Sequence, residues 1–354
     1  IEYRSPAPHR DLFVKFSRDL EDPTRDHGRT QMASEVAFAR LSRTDAFPVS
    51  VPSVLFADYE LSSGTGILVT ERIPFGSDGI EPQHAKCMDY EMPDPLPHYR
   101  ALLGAVARLA GTDAAGRLPN HLDADMEQLS VGQRPPLTAA KLERRVDDLA
   151  DFAAAHPALL PANVRSPSLL SRLRIDLPRL LESEPVVWQH LRSRTDFVAL
   201  CHWNANVDNA WFWSAADGTL QCGLMDWGCV GQMNVAMAIW GSMCSAETQL
   251  WDQHLPELLT LFAGEFLACG GPRLDVEVLG RHVLLYAAVM GMTWLLDVPG
   301  HVRSRAPDLT RGSTRMDPAI RDRESIRCRL QMMTNVLNLL ATRELGLVLD
   351  EIVG

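Results

Sequence analysis

Cysteine is scarce and poorly placed for cross-linking: Cys87, Cys201, Cys222, Cys229, Cys244, Cys269 and Cys328 are seven, an odd number, with no Cys-x-x-Cys pair. This excludes a disulfide scaffold and a four-thiolate zinc site, and reads as reduced, mostly buried thiols in a cytoplasmic protein. Positive charge is also short. Lys and Arg total 34 against 45 Asp and Glu, a net charge of −11, which argues against a nucleic-acid coat, since such binding needs cations to neutralise phosphates. A cationic or neutral partner is easier to accommodate. Long apolar runs are missing too: the most apolar uncharged stretch, Val283 to Leu296, falls short of the roughly 18 residues of a membrane span and reads as a buried helix. Trp227 to Ala246 is uncharged but broken by Gly228, Gly231, Gln232, Asn234, Gly241 and Ser242. The opening Ile1-Glu2-Tyr3-Arg4-Ser5-Pro6 shows no basic start, apolar stretch or cleavage site. Repeats, heptads and low-complexity tracts are absent.

What remains is a globular chain of 354 residues, 46% of them apolar, long enough for two or three domains. Its opening part, 1–75, reads as a small mixed lobe. β-prone runs at Leu12–Phe16, Val54–Ala57 and Gly66–Thr70 surround a stretch, Thr30 to Leu41, whose apolar residues recur at helical spacing. Ile73-Pro74-Phe75-Gly76 ends that lobe. From His98 the period is helical, over Tyr99–Leu109, Ala139–Ala155, Ser168–Leu181 and Pro185–Leu191, with a Pro/Gly connection at 132–136. A second β-like island covers Phe197–Cys201, Trp211–Trp213 and Leu220–Met225. Helices resume from Val235, interrupted by an Arg-rich loop over 299–323.

The chemistry-bearing text lies in the island: His202-Trp203-Asn204-Ala205-Asn206-Val207-Asp208-Asn209, then Asp226-Trp227-Gly228. A polar loop between strands, followed by an Asp ending the next strand, can bring an amide oxygen and a carboxylate to one hard cation. Alone, Asp-x-Gly is most often a turn. Upstream, Lys15 interrupts an apolar strand and Glu35 lies on the following helix. Either the ammonium meets an anion in a cleft, Glu35 or a phosphate, or Lys15 points to solvent from an edge strand.

In this order, strand Lys, helix Glu, Pro/Gly hinge, His-x-Asn-x-x-x-x-Asn loop and Asp-Trp-Gly, the sequence resembles the aminoglycoside phosphotransferase and choline kinase group over residues 1 to 300. The resemblance implies an α+β, two-lobed protein-kinase-like fold: a nucleotide-binding lobe over 1–75 and a mainly helical lobe over 76–354 with a helical insertion at 98–195. It implies ATP and Mg²⁺ as cofactors and a small-molecule hydroxyl acceptor, which the negative charge favours as cationic. Lys15 then matches the lysine on the α- and β-phosphates and Glu35 its positioning partner. Asn209 and Asp226 match the magnesium ligands, Thr70 to Arg72 the segment at the adenine edge, and His202 the histidine that braces the loop.

Two departures matter. Asn204 stands where the family has its general-base Asp, and Trp203 replaces a small glycine. An amide cannot accept a proton, and general-base help is worth ~10² to 10⁴ in rate, yet phosphoryl transfer relies chiefly on positioning and charge neutralisation. The alternative to an ATP-dependent phosphotransferase is thus a pseudokinase-like binding protein with little turnover; nucleotidyl transfer is a third option. Trp203 either fills the acceptor pocket or offers a stacking face. Trp203, Trp211, Trp213 and Trp227 crowd half of the chain's tryptophans into one short segment, read as core ahead of a cation cage. The family's phosphate-covering hairpin precedes the lysine strand, and the chain ahead of Lys15 has room for one strand and a turn only. Residues are therefore expected to be missing before Ile1, with Ile1–Arg4 as a strand.

Other candidates fail on geometry or context. Cys201 and His202 are strand neighbours and point to opposite faces. The eleven histidines contain no His-x-x-x-His pair and no helical metal pattern. Asp123 with Asp125, Asp147 with Asp148, and the Arg-rich 303–330 region read as solvated.

Overall fold

A computed structural model describes residues 11–17, 25–44, 47–119 and 136–353. The strand expected at Ile1–Arg4, the pair Asp123 and Asp125, and residues 132–135 of the Pro/Gly connection lie outside these. The fold is α+β with two lobes, as expected.

In the small lobe, β1 (Leu12–Phe16), β2 (Val54–Glu60) and β3 (Thr65–Glu71) form an antiparallel sheet in the order β1-β3-β2. The β2–β3 turn is set by Glu60, whose carboxylate accepts hydrogen bonds from the backbone N–H groups of Ser62 (2.9 Å) and Ser63 (2.6 Å). Helix α1 (Arg25–Leu41) lies on the sheet. Its periodic residues Met32, Val36, Phe38, Ala39 and Leu41 are buried, as the spacing requires.

The large lobe is organised around α2 (Leu96–Ala114), where Leu102, Leu103, Ala105, Val106, Ala107, Leu109 and Ala110 are buried. A helix apolar on most sides must be covered on most sides. Two strand pairs lie against one side: β4 (Val198–His202) with β7 (Val230–Asn234), and β5 (Ala210–Ser214) with β6 (Leu220–Leu224). Around them are α3 (Ala139–Ala155), α4 (Pro167–Ser193), α5 (Val235–Met243), α6 (Thr248–Ala268) and α7 (Val276–Met290), followed by α8 (Val298–Arg305), α9 (Pro318–Arg321), α10 (Glu324–Thr342) and α11 (Leu345–Val353).

Four readings change. The two helices expected between Ser168 and Leu191 are one, running through Pro178 and Pro185. Each proline forfeits a backbone bond, but Leu173, Leu177, Leu180, Val187 and Leu191 stay on one buried stripe, and burial outweighs the break. β7 was hidden inside Trp227–Ala246 because it is buried and does not alternate. The Arg-rich 299–323 segment contains α8 and α9, and its Arg303 pairs with Asp148 at 2.5 Å, while Arg174 pairs with Asp147 at 2.8 Å. Finally, the apolar Val283–Leu296 run belongs to a longer stretch. Val276–Arg305 is long and apolar enough to cross a membrane, but 78% of its most apolar window is buried inside the protein, where it serves as core.

Candidate functional site

Between the lobes lies a cavity of about 640 Å³ lined by Lys15, Glu35, Thr70, Arg72, Asn209 and Asp226, among others. These six come from separate stretches of sequence, and the fold brings all of them to one place. β1 is an edge strand among the described residues, yet Lys15 is not a solvated edge lysine. Its Nζ lies 2.7 Å from Glu35 Oε2 on α1 and 2.6 Å from Asp226 Oδ1 in the large lobe. Burial pulls the Lys15 pKa down, but the two carboxylates more than reverse it, so the ammonium stays charged. Glu35 is only 4% exposed, and burial raises its pKa against the pull of Lys15.

Asp226 occupies the left-handed region (φ 61°, ψ 63°), rare for a side-chain-bearing residue. The turn that follows is fixed by Trp227, whose indole N–H donates to the Leu224 carbonyl (3.1 Å) and whose ring stacks on Phe38 of α1 at 3.7 Å and 13°. One turn therefore sets the acidic residue and joins the lobes.

The loop after β4 is braced from below. His202 is fully buried, and burial pushes its pKa down to about 4, so the ring is neutral. Its Nε2–H donates to the Met225 carbonyl (3.0 Å), and Nδ1 accepts from the Asn204 N–H (3.2 Å), which fixes the tautomer. Asn209 donates Nδ2–H to the Asn204 carbonyl at 2.9 Å, leaving Oδ1 as the amide's remaining ligand atom. Asn206, fully buried, donates to Asn204 Oδ1 (2.7 Å) and accepts from Ser245 (2.8 Å), tying the loop to the core.

Thr70, Glu71 and Arg72 border the cavity, with the N–H groups of Glu71 and Arg72 already held by the Ser53 and Asp11 carbonyls. Trp203 lies elsewhere. Its indole N–H donates to the Tyr286 hydroxyl at 2.6 Å, and it is not among the residues lining the cavity. Nor do the four tryptophans converge: Trp211 and Trp213 stack on each other, and Trp227 stacks on Phe38.

Two lining residues escaped sequence reasoning. Lys86 Nζ lies 3.3 Å from Asn204 Oδ1, and although burial lowers its pKa, Asp208 together with the thiols of Cys244, Cys328 and Cys87 raises it on balance. Asp208 carries a buried Oδ1 with no hydrogen-bond partner, and burial raises its pKa against the pull of Lys86. A signal for Lys86 existed. The chain has only three lysines, at 15, 86 and 141, so a lysine here is unusual wherever arginine would serve.

No family model matches the chain, and no curated protein matches it. Among solved structures, it is similar to a choline/ethanolamine kinase family protein from Mesorhizobium loti, with 16% identity and a TM-score of 0.40 over 88% of this chain and 83% of that one. It is also similar to a microcompartment-associated aminopropanol kinase (13% identity, TM-score 0.45, 92% and 87% covered) and to a Plasmodium vivax ethanolamine kinase (12%, 0.40, 87% and 71%).

Proposed function

We propose that this protein transfers the γ-phosphoryl group of ATP to a hydroxyl of a small molecule. The observation that carries the proposal is the position of Lys15, a charged ammonium held by Glu35 and Asp226 at a cavity that Asn209 also lines. Lys15 would bind the α- and β-phosphates, with Glu35 fixing its reach. The N–H groups used within 70–72 leave the base to meet other backbone groups of that border. Asn209 and Asp226 offer oxygen donors, the set that suits Mg²⁺, and Asn209 is already oriented by its bond to Asn204. A magnesium ion held there supplies charge neutralisation for the phosphates.

Asn204 cannot take the acceptor's proton. Asp208 offers a carboxylate on the same loop, its Oδ1 unpartnered and its side chain lining the cavity. Lys86 beside it would draw charge toward the loop. Glu324 and Asp208 add acidic groups to the cavity lining, which favours an acceptor that carries a cationic amine beside its hydroxyl. Radiolabelled γ-phosphate transfer across amino alcohols, sugars and aminoglycosides tests this reading; no transfer to any of them by the parent or by Asn204→Asp would overturn it.

Asn204 itself favours a second reading, a pseudokinase-like module that binds nucleotide without turnover. Thermal stabilisation by ATP with Mg²⁺ but no transfer would select it.

A further inference from the structure

A second cluster involves the same segment that carries Gln83 and Lys86. Glu81, His84 and His98 bring three ligand atoms within 4.8 Å of one another. Both imidazoles approach the same oxygen: His84 Nε2 is 3.1 Å and His98 Nε2 2.8 Å from Glu81 Oε2.

Proton positions make this arrangement unusual. His98 Nδ1 lies 3.2 Å from the Asp94 carbonyl, which can only accept, so Nδ1 carries the ring's proton. In a neutral ring, Nε2 then presents a lone pair to a carboxylate oxygen. Lone pair against lone pair is repulsive; the contact needs a second proton on the ring or a cation that both atoms ligate.

We propose that Glu81, His84 and His98 form a transition-metal site, matched to Zn²⁺, that fastens the 81–86 segment to the first turn of α2. Zn–N and Zn–O bonds of roughly 2.0–2.2 Å put neighbouring ligands of a tetrahedral ion about 3.4 Å apart; the two Glu81–histidine separations are 3.1 and 2.8 Å, and all three ligand atoms lie within 4.8 Å of one another. A backbone carbonyl on the non-ligating nitrogen, as Asp94 provides, is the usual orienting partner of a metal-bound histidine. Phe212 stands edge-on to both rings, with centroids at 5.7 and 4.9 Å, and shields the site. The Glu81 N–H is itself anchored on the Phe212 carbonyl of β5 at 2.9 Å. Three protein ligands leave a fourth position for water. The consequence reaches the cavity, because Gln83 donates to the Asp208 carbonyl (3.2 Å) and Lys86 to Asn204. Metal binding here does not depend on phosphoryl transfer. The signal was invisible in sequence because His98 lies well beyond His84 in the chain, on a different element.

The test uses the full chain after stripping with EDTA. Calorimetric titration with Zn²⁺ is expected to show one ion per chain and a raised melting temperature, with affinity falling at least about 100-fold in Glu81→Gln and in His98→Gln. Absence of stoichiometric binding, or affinity unchanged in both variants, overturns the proposal. Should either variant fold poorly, the parent with Co²⁺ decides: ligand-field bands without a thiolate charge-transfer band support the site, whereas a thiolate band or no bands at all refutes it.

Discussion

Lys15 Nζ lies 2.6 Å from Asp226 Oδ1, joining β1 of the small lobe to a left-handed residue 211 positions later. With Glu35 it forms a three-membered charge group in which one cation serves two anions. Lys15→Met removes the cation and leaves Glu35 buried beside Asp226. Stability is expected to fall by about 1–3 kcal/mol, discounted because Lys15 is one-third exposed, and transfer activity by at least about 100-fold. Adding Glu35→Gln should return most of the stability and none of the activity. Urea melts and γ-phosphate transfer on the two variants separate these effects; equal stability of parent and Lys15→Met would count against the charge group.

The loop carboxylate makes a relocation test possible. Asp208→Asn is expected to lower turnover by roughly 10², Asn204→Asp to raise it about tenfold or more, and the double variant to keep the activity of Asn204→Asp. Turnover unaffected by Asp208→Asn would remove Asp208 from the proposed chemistry.

Gly241 of α5 lets that helix meet the loop backbone. A Cβ there would fall on the Trp203 carbonyl oxygen and lie 2.7 Å from its carbon, both backbone atoms. Gly241→Ala is expected to cost roughly 2–4 kcal/mol and to lower activity through a shifted loop. Gly264, inside α6, has nothing within 4 Å of its would-be Cβ, so Gly264→Ala should stabilise by about 0.5–1 kcal/mol. Denaturation of both variants checks the contrast.

Buried groups give stability opposing pH dependences. Burial pushes the Asp89 carboxyl up to about 6, despite the hydrogen bond it accepts from Tyr99. A raised acid favours the folded state fully below roughly pH 4, and that contribution is lost as pH rises through about 6. Burial also pushes His202 down to about 4 and His282 to about 3; their contributions are present above roughly pH 6.5 and lost as pH falls toward those values. Asp89→Asn should therefore stabilise at pH 8 by roughly 1–3 kcal/mol and steepen the loss of stability on acidification. An Asp89→Asn urea midpoint at or below the parent's at pH 8 would contradict this.

The sequence revealed whatever period and motif order encode. Helix Ala139–Ala155 was legible to the residue because a Thr138 cap and a clean apolar stripe coincide. Lys15, Glu35, Thr70, Arg72, Asn209 and Asp226 line one cavity, and their nearness was legible because their order along the chain carried the information. Lys86, Asp208 and Asn206 were not, since each acts through contacts made only within the folded large lobe, Lys86 with Asn204, Asp208 with Lys86 and Asn206 with Ser245. Pro185 misled because local propensity reports the cost of a break and not the burial that offsets it. The tie of the Trp203 indole N–H to Tyr286, 83 positions on, was equally illegible, because nothing local in the sequence encodes it.

The Trp227–Phe38 stack gives the molecule an optical handle. Phe38 belongs to the small lobe, and Trp227 immediately follows the acidic residue at the cavity. A rotation of one lobe against the other must slide one ring over the other, changing the polarity and quenching felt by a single indole. With the other seven tryptophans replaced by phenylalanine, the emission of Trp227 would report the angle between the lobes in real time.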